Sequence, residues 1–418
     1  MAGNVQQGEV VVNWSPQQDA ALKAVAAWIA DKSGPQVFRL FGFGGTGKST
    51  LATHFAEGVD GLVLFGAFTG KAALVMRQKG CPGATTIHSM IYTSQEKSRV
   101  RLLELESQLF DLEGSPAIGT GHKVNQLREE IAQEKKRLGQ PSFRLNPTSD
   151  ALNASLIIID EVSMVSTEMA QDLLSFGKKV LVLGDPFQLP PVYGGGYFTE
   201  CKPDIMLTEV HRQALDSPVL ALATRIRMGE HVRTGWGSGD TCITDDIRPE
   251  EVVACDQVIV GRNATRRASN RRMRELIGIS DPRHAVYPVA GDKVVCLRNN
   301  HDMGLLNGSL WTVTSVGTIV EGGYIEMGIK SEEGLELNVN SHTHCFEGRE
   351  MDLAWFDRKN AEEFDYGYAL TCHKAQGSAF RHVVLFDESN CFRADARRWL
   401  YTGITRAVER VTVVRRGV

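Results

Sequence analysis

The segment RLFGFGGTGKST, residues 39–50, restricts the fold of this chain more than any other stretch. Gly42, four residues, then Gly47, Lys48 and Ser49 fit G-x-x-x-x-G-K-[ST], a loop that cradles phosphates when it joins a strand to a helix. QVFRLFG before it alternates as a strand does, and STLATHFAEG after it reads as a helix closing at Gly58. Gly42, Gly44, Gly45 and Gly47 let backbone N–H groups turn inward around phosphate oxygens at the positive end of that helix. Lys48 is expected to reach the β- and γ-phosphates and Ser49 to offer its hydroxyl to Mg²⁺, with Thr46 and Thr50 completing the nucleotide set. A nucleoside triphosphate and Mg²⁺ are the expected ligands.

The rest of the chain reads as α/β. Short apolar runs QVFRLF, GLVLFG, SLIIID, KVLVLGD and DIMLTEV punctuate the first half, as in a parallel sheet covered on both faces. DQVIVGRN, HVVLFDES and RVTVVRR repeat the texture later, with helical stretches at 264–277 and 394–406, so two similar α/β units are expected. Each is interrupted. Between 93 and 148, Leu102, Leu105, Leu109 and Leu112, then Val124, Leu127, Ile131 and Leu138, recur at heptad spacing around GSPAIGTG, predicting an antiparallel helical hairpin. Around 291–340, alternation with NG, EGG and EEG turns predicts a small antiparallel β-barrel.

Composition narrows the partners. The net charge of −4 gives no global basic field, so any nucleic-acid surface must be local. Eight scattered cysteines without a C-x-x-C pair suggest neither a zinc knuckle nor a disulfide framework, and favour a reducing cytosol. There is no basic-then-apolar leader and no apolar run near 18 residues, so neither export nor a membrane span is expected.

Three strand ends carry chemistry. LIIIDEVSMV places Asp160 at a strand tip, suited to Mg²⁺, and Glu161 beside it, suited to orient or deprotonate an attacking water. LVLGDPFQLPPV ends another strand with Asp185 and Gln188, whose neutral amide can bond both a γ-phosphate and water. Arg212 in LTEVHRQ and Arg406 in YTGITRAVER are the candidate arginine fingers; if both face the γ-phosphate, the site lies between the units. HTHC (His342, His344, Cys345) raises a zinc reading, but it lacks a distant second pair of ligands.

GFGGTGKST, AFTGKAA, TTIHS, DEVSMV, GDPFQLPPV, LTEVHRQ, YALTCHKAQGS and YTGITRA follow one another in the order of the superfamily 1 helicase motifs. Over about 15–410 the chain resembles the class B, RecD-like and Dda-like group of DNA helicases, many of them phage proteins. The resemblance implies two RecA-like P-loop domains, at 1–92 with 149–212 and at 213–284 with 361–418. It also implies a helical-hairpin insertion at 93–148 and an SH3-like β-barrel insertion at 285–360. It implies single-stranded DNA and duplex junctions as partners. Thr69, Gly70, Lys71, Thr85, Thr86 and His88 would line the strand on the first domain, and Thr371, His373 and Lys374 on the second. Hydroxyls, backbone amides and lysines bind phosphates without reading sequence, which suits such a track. Gln18 resembles the family's adenine-recognising glutamine, and Gln376 and Gly377 stand where the family couples track to nucleotide, Gly377 being counted with the nucleotide residues.

The implied activity is ATP-driven translocation and unwinding, 5′→3′, in replication, recombination or repair. The alternative is an ATP-gated single-strand clamp or recombination adaptor that unwinds little. A monomer in the cytoplasm (a host's, if phage-encoded) is expected, with the 93–148 arm open to a replication or recombination protein. Three features depart from the group. Ala379 follows QGS where relatives carry an acid, Phe68 replaces a proline, and the first insertion reads as helices where relatives often carry a β-hairpin wedge.

Overall fold

The computed structural model describes residues 14–94, 100–113, 121–139, 143–191, 194–209, 216–279, 286–320, 323–353, 358 and 360–415. In chain order the first unit holds α1 (Pro16–Ala30), β1 (Val37–Gly42), α2 (Lys48–Ala56), β2 (Leu62–Ala67), α3 (Gly70–Gln78), β3 (Thr85–Thr86) and α4 (Ile87–Ile91). There follow β4 (Tyr92–Ser94), α5 (Val100–Glu113), α6 (Gly121–Gly139) and β5 (Phe143–Leu145), then β6 (Ala154–Asp160), α7 (Thr167–Leu174), β7 (Lys179–Gly184) and β8 (Ile205–Leu207).

Six of these strands form a parallel sheet in the order β3-β2-β6-β7-β1-β8. Its central strands are apolar runs rather than alternations because helices cover both faces, leaving Leu156, Ile157, Ile158 and Ile159 of β6 fully buried. Leu156 and Ile158 pack with Leu51, Phe55 and Met76 on one face; Ile157 and Ile159 pack with Ile91, Met169 and Leu173 on the other.

The second unit contains α8 (Pro218–Met228), β9 (Gly237–Ser238), β10 (Thr241–Thr244), α9 (Pro249–Val253), β11 (Gln257–Val260) and α10 (Asn263–Leu276). It is completed, after an interruption, by β17 (Ala369–Thr371), β18 (Phe380–Phe386), α12 (Ala396–Ile404) and β19 (Ala407–Val414). Its sheet runs β17-β11-β18-β19-β10-β9, parallel except at β9. The interruption is β12 (Lys293–Cys296), β13 (Leu310–Val320), β14 (Tyr324–Ser331), β15 (Glu336–His342), α11 (Thr343–Phe346) and β16 (Phe364–Tyr366). These five strands form an antiparallel sheet, β15-β14-β13-β12-β16, around Trp311, Ile325, Ile329 and Phe364. Glu362 draws its two edges together, donating its N–H to Asn340 O (2.7 Å) and accepting from His342 N–H (2.9 Å). The fifth strand comes from 364–366, beyond the alternating stretch that announces the sheet.

Helices α5 and α6 pack through Leu102, Leu105, Leu127 and Ile131, with Leu109 and Leu112 at the margin. Val124 stays outside that cluster, and the Leu138 side chain and residues 114–120 of GSPAIGTG lie outside the described residues. The purely helical reading of 93–148 needs one correction. Beneath the helices β4 and β5 pair antiparallel, Tyr92 with Leu145, Thr93 with Arg144 and Ser94 with Phe143. Strands of three residues are too short for alternation to register against the helical periodicity beside them. Among the described residues no helix is long and apolar enough to cross a membrane.

Candidate functional site

In the first sheet β1 lies between β7 and β8, and β6 adjoins β7. The carboxyl ends of β1, β6 and β7 therefore stand side by side, where ligands sit in open α/β sheets. The phosphate loop leaves β1 there, with Gly45 and Gly47 both at φ +80°, a left-handed conformation that other residues resist. Gly47 is the N-cap of α2, so Ser49 and Thr50 fall in its first turn with the helix's unpaired N–H groups. The Lys48 ammonium donates to Gly42 O (2.7 Å) and Phe43 O (3.0 Å), which hold it over the loop.

Gln18 braces this loop from below. Ser15 and Gln18 form a capping box on α1, and the Gln18 amide also donates to Thr46 O (3.1 Å). In this structure those two contacts engage both ends of an amide that sequence resemblance assigns to adenine. Thr46 is buried, its hydroxyl on Phe43 O (2.9 Å).

Asp160 ends β6, and its Oδ1 accepts the Glu161 N–H at 2.8 Å. Glu161 is non-glycine at φ +55°, a strain of about 1–3 kcal/mol of the kind concentrated at functional sites. Burial pushes its carboxyl pKa up, Asp160 and Asp185 add to the push, and Arg406 and Lys48 oppose it. Lys48, Asp160, Glu161, Asp185 and Arg406 thus form one electrostatic cluster drawn from both units.

One hydroxyl ties that cluster together. Tyr401 of α12, 2 % exposed, donates to Asp185 Oδ2 (2.5 Å) and accepts the Gly44 N–H of the phosphate loop (3.2 Å). Asp185 is buried, which raises its pKa, and it also accepts the Phe187 N–H at 2.9 Å. Beside it Leu189 N–H donates to Thr402 Oγ1 (2.9 Å), and the Gln376 amide donates to Leu189 O (3.2 Å). Gln188 is buried and its Oε1 has no hydrogen-bond partner, the kind of orphaned acceptor that calls for an explanation.

Arg406 is buried and donates to Thr402 O (3.2 Å), Ser378 O (3.1 Å) and Thr405 Oγ1 (3.3 Å). A second arginine reaches the loop from the same unit, Arg227 of α8 lying 3.5 Å over the Phe43 ring. Arg212 falls in 210–215, outside the described residues.

The remaining sequence candidates gather along one edge. Thr69 N-caps α3 and Thr86 N-caps α4, through Ala72 N–H (3.2 Å) and Ser89 N–H (3.1 Å). Thr85 pairs with Gly66 at the carboxyl end of β2. Gly377, at φ +76°, packs so closely on Thr69 that a Cβ would come 2.8 Å from its hydroxyl. Ala72 stands next to the same position, so Gly377 brings the second unit against the start of α3. Gly70 meets the β12–β13 connection at Asn299 and Leu306, and Lys71 lies 3.6 Å from Glu332 and 5.6 Å over Phe380. On the second unit Thr371 ends β17, with Oγ1 accepting the Lys374 N–H at 3.3 Å. Burial lowers the pKa of His88, His373 and Lys374. Burial thus favours the neutral form of both imidazoles.

Phe68 packs into the core and lies 6.4 Å from His88, whose ring also approaches Tyr92 (5.5 Å) and Phe143 (5.7 Å). Phe143, half exposed on β5, escapes sequence reasoning because nothing in its surroundings marks it. Tyr401 and Thr402 were within reach, since they stand in YTGITRA beside Arg406. The zinc reading of HTHC fails: the described residues hold no group of three metal-ligating side chains, and His342 packs on Tyr324 at 5.1 Å.

Residues 13–238 match the family described as AAA domain, and residues 366–414 match the UvrD-like helicase C-terminal domain. The ATP-dependent RecD2 DNA helicase of Deinococcus radiodurans is 28% identical over 297 residues, 65% of this chain and 38% of that protein. The chain thus spans well under half of that relative. The RecBCD enzyme subunit RecD of Mycolicibacterium smegmatis is 24% identical over 437 residues, 96% of this chain and 76% of that protein. A Pif1 helicase solved with ADP-AlF3 and single-stranded DNA, from Bacteroides, shares the fold at TM-score 0.53 and 16% identity, over 96% of this chain and 92% of its own. A Pif1 structure at forked double-stranded DNA gives 0.55 and 18%, over 97% and 92%. Two α/β units share this cluster, and the AAA-domain match spans more than half of the residues: the chain belongs to the AAA-domain family.

Proposed function

We propose that this protein is an ATP-driven DNA helicase that translocates 5′→3′ along single-stranded DNA as a monomer, in replication, recombination or repair. The observation that carries the reading is the Lys48–Asp160–Glu161–Asp185–Arg406 cluster, contributed by two units whose other contact line, Thr69 against Gly377, runs through the proposed track. A change at the phosphates must then be felt at the strand.

In this reading 1–92 with 149–212 and 213–284 with 361–418 are the two motor domains. The hairpin at 93–148 and an SH3-like barrel at 285–360 are their insertions. Lys48 and the loop amides bind the β- and γ-phosphates of ATP. Ser49 and Asp160 are the residues that would hold Mg²⁺, which neutralises phosphate charge; a buried carboxylate beside a helix-start hydroxyl suits a hard cation that keeps most of its waters. Glu161 holds the attacking water and takes its proton, and the orphaned Gln188 Oε1 supplies an acceptor for that water. Arg406, with Arg212, stabilises charge on the transferring phosphoryl. Thr69, Gly70, Lys71, Thr85, Thr86 and His88, then Thr371, His373 and Lys374, grip the strand, and the β4–β5 ribbon with half-exposed Phe143 is the candidate element for parting a duplex.

Opening DNA opposes stacking of about 1.4 kcal/mol per step on average, within what one hydrolysis cycle can offset. The test is strand displacement on duplexes with a single 5′ or 3′ tail. The reading expects ATP-dependent displacement from the 5′-tailed substrate alone. Nucleotide-dependent binding without displacement from either would replace it with the clamp.

A further inference from the structure

A cleft of about 520 Å³ opens between α10 and the corner of the inserted sheet formed by α11, Glu347, Gly348 and β16. Arg267, Arg271 and Arg274 line it. At i, i+4 and i+7 they share one face of the helix. The acids that also line the cleft are already engaged by bases outside it: Asp365 by Arg266 (2.5 Å), Glu275 by Arg272 (2.9 Å) and Glu347 by Arg349 (3.1 Å). Arg274 is held by buried Asp292 (3.0 Å) and stacks 4.3 Å over Tyr366; Arg267 meets Glu350 (3.0 Å). Arg271 is exposed and has no acidic partner among the described residues. Gly348, at φ +73°, turns the chain against Arg267, and a Cβ there would stand 3.1 Å from its guanidinium carbon.

The cleft adjoins the proposed DNA track. Asn270, in the cleft lining, donates its amide to Ala369 O (3.3 Å) and accepts the Ala369 N–H (2.7 Å), and Ala369 opens β17, the strand that Thr371 of the proposed track ends. The arginine-bearing helix α10 is therefore bonded to the strand that leads to Thr371 and Lys374. Guanidinium forks on a groove wall are suited to phosphate oxygens.

We propose that this cleft is a second phosphate-binding station for single-stranded nucleic acid, taking the backbone of the strand that continues past Lys374, with Arg271 as its open contact. The proposal rests on the reading that a single strand runs over Lys374.

The test uses the full chain, oligo-dT of about 8 and about 20 nucleotides, lengths chosen to bracket single-strand site sizes, and affinities measured across a salt series. Arg271→Ala is expected to weaken the longer oligonucleotide several-fold and to lower its salt slope by about one. Arg271→Glu should weaken it further, with the shorter oligonucleotide and DNA-independent ATP turnover unchanged in both variants. Loss at both lengths, or at neither, would overturn the station. A length effect that disappears when inorganic phosphate replaces chloride at constant ionic strength, while Arg271→Ala leaves DNA affinity untouched, would assign the cleft to a free anion instead and also overturn it. Failure of the unaltered protein to bind either oligonucleotide would sink the underlying reading, an outcome distinguishable from the others.

Discussion

Glu161→Gln is expected to lower ATP turnover by about 10²- to 10⁴-fold, the usual worth of a positioned general base, while ATP binding persists. The substitution keeps the shape and removes the proton acceptor. Its burial among Asp160, Asp185, Lys48 and Arg406 argues for an acceptor role: desolvation and the two acids raise the Glu161 pKa, while the two bases keep the anion accessible. Glutamine also relieves the cost of burying a charge, so the folded protein should be at least as resistant to denaturant as the unaltered one. Binding of a fluorescent ATP analogue beside a phosphate-release assay separates the two effects. Turnover within a few-fold of the unaltered enzyme would remove Glu161 from the chemistry.

Arg406→Lys is expected to lower turnover by about 10³-fold, the low end for loss of an arginine finger. Lysine is the informative replacement because it keeps the charge and discards the fork. Alanine would leave the buried carbonyls of Ser378 and Thr402 without the donors they have now, confounding fold with chemistry. The reading predicts that kcat falls far more than KM changes, since the finger acts where charge develops in the transition state. A change confined to KM would make Arg406 a binding residue.

The two sheets and the phosphate loop were legible because their signals are local. A glycine pattern between a strand and a helix, and apolar runs such as LIIID at 156–160, carry their meaning within a dozen residues. What escaped is built from distant partners. β16 adds a fifth strand across a long excursion, and Glu362 brings the sheet's edges together through backbone atoms that have no signature in side chains. The β4–β5 ribbon is two three-residue strands separated by the whole hairpin. Tyr401 stood inside a quoted motif, yet its importance appears only when Gly44 and Asp185 converge on its hydroxyl from hundreds of residues away. Gln18 shows the reverse: its place was legible, but its amide is engaged by the cap of its own helix and by the loop it borders.

The most direct measurement is steady-state ATP turnover with and without a single-stranded oligonucleotide, beside a Lys48→Ala control. A motor whose phosphate cluster and strand track share one domain interface predicts strong stimulation by the oligonucleotide, abolished in Lys48→Ala. Turnover that Lys48→Ala abolishes but the oligonucleotide leaves unchanged would contradict the coupling on which the account depends.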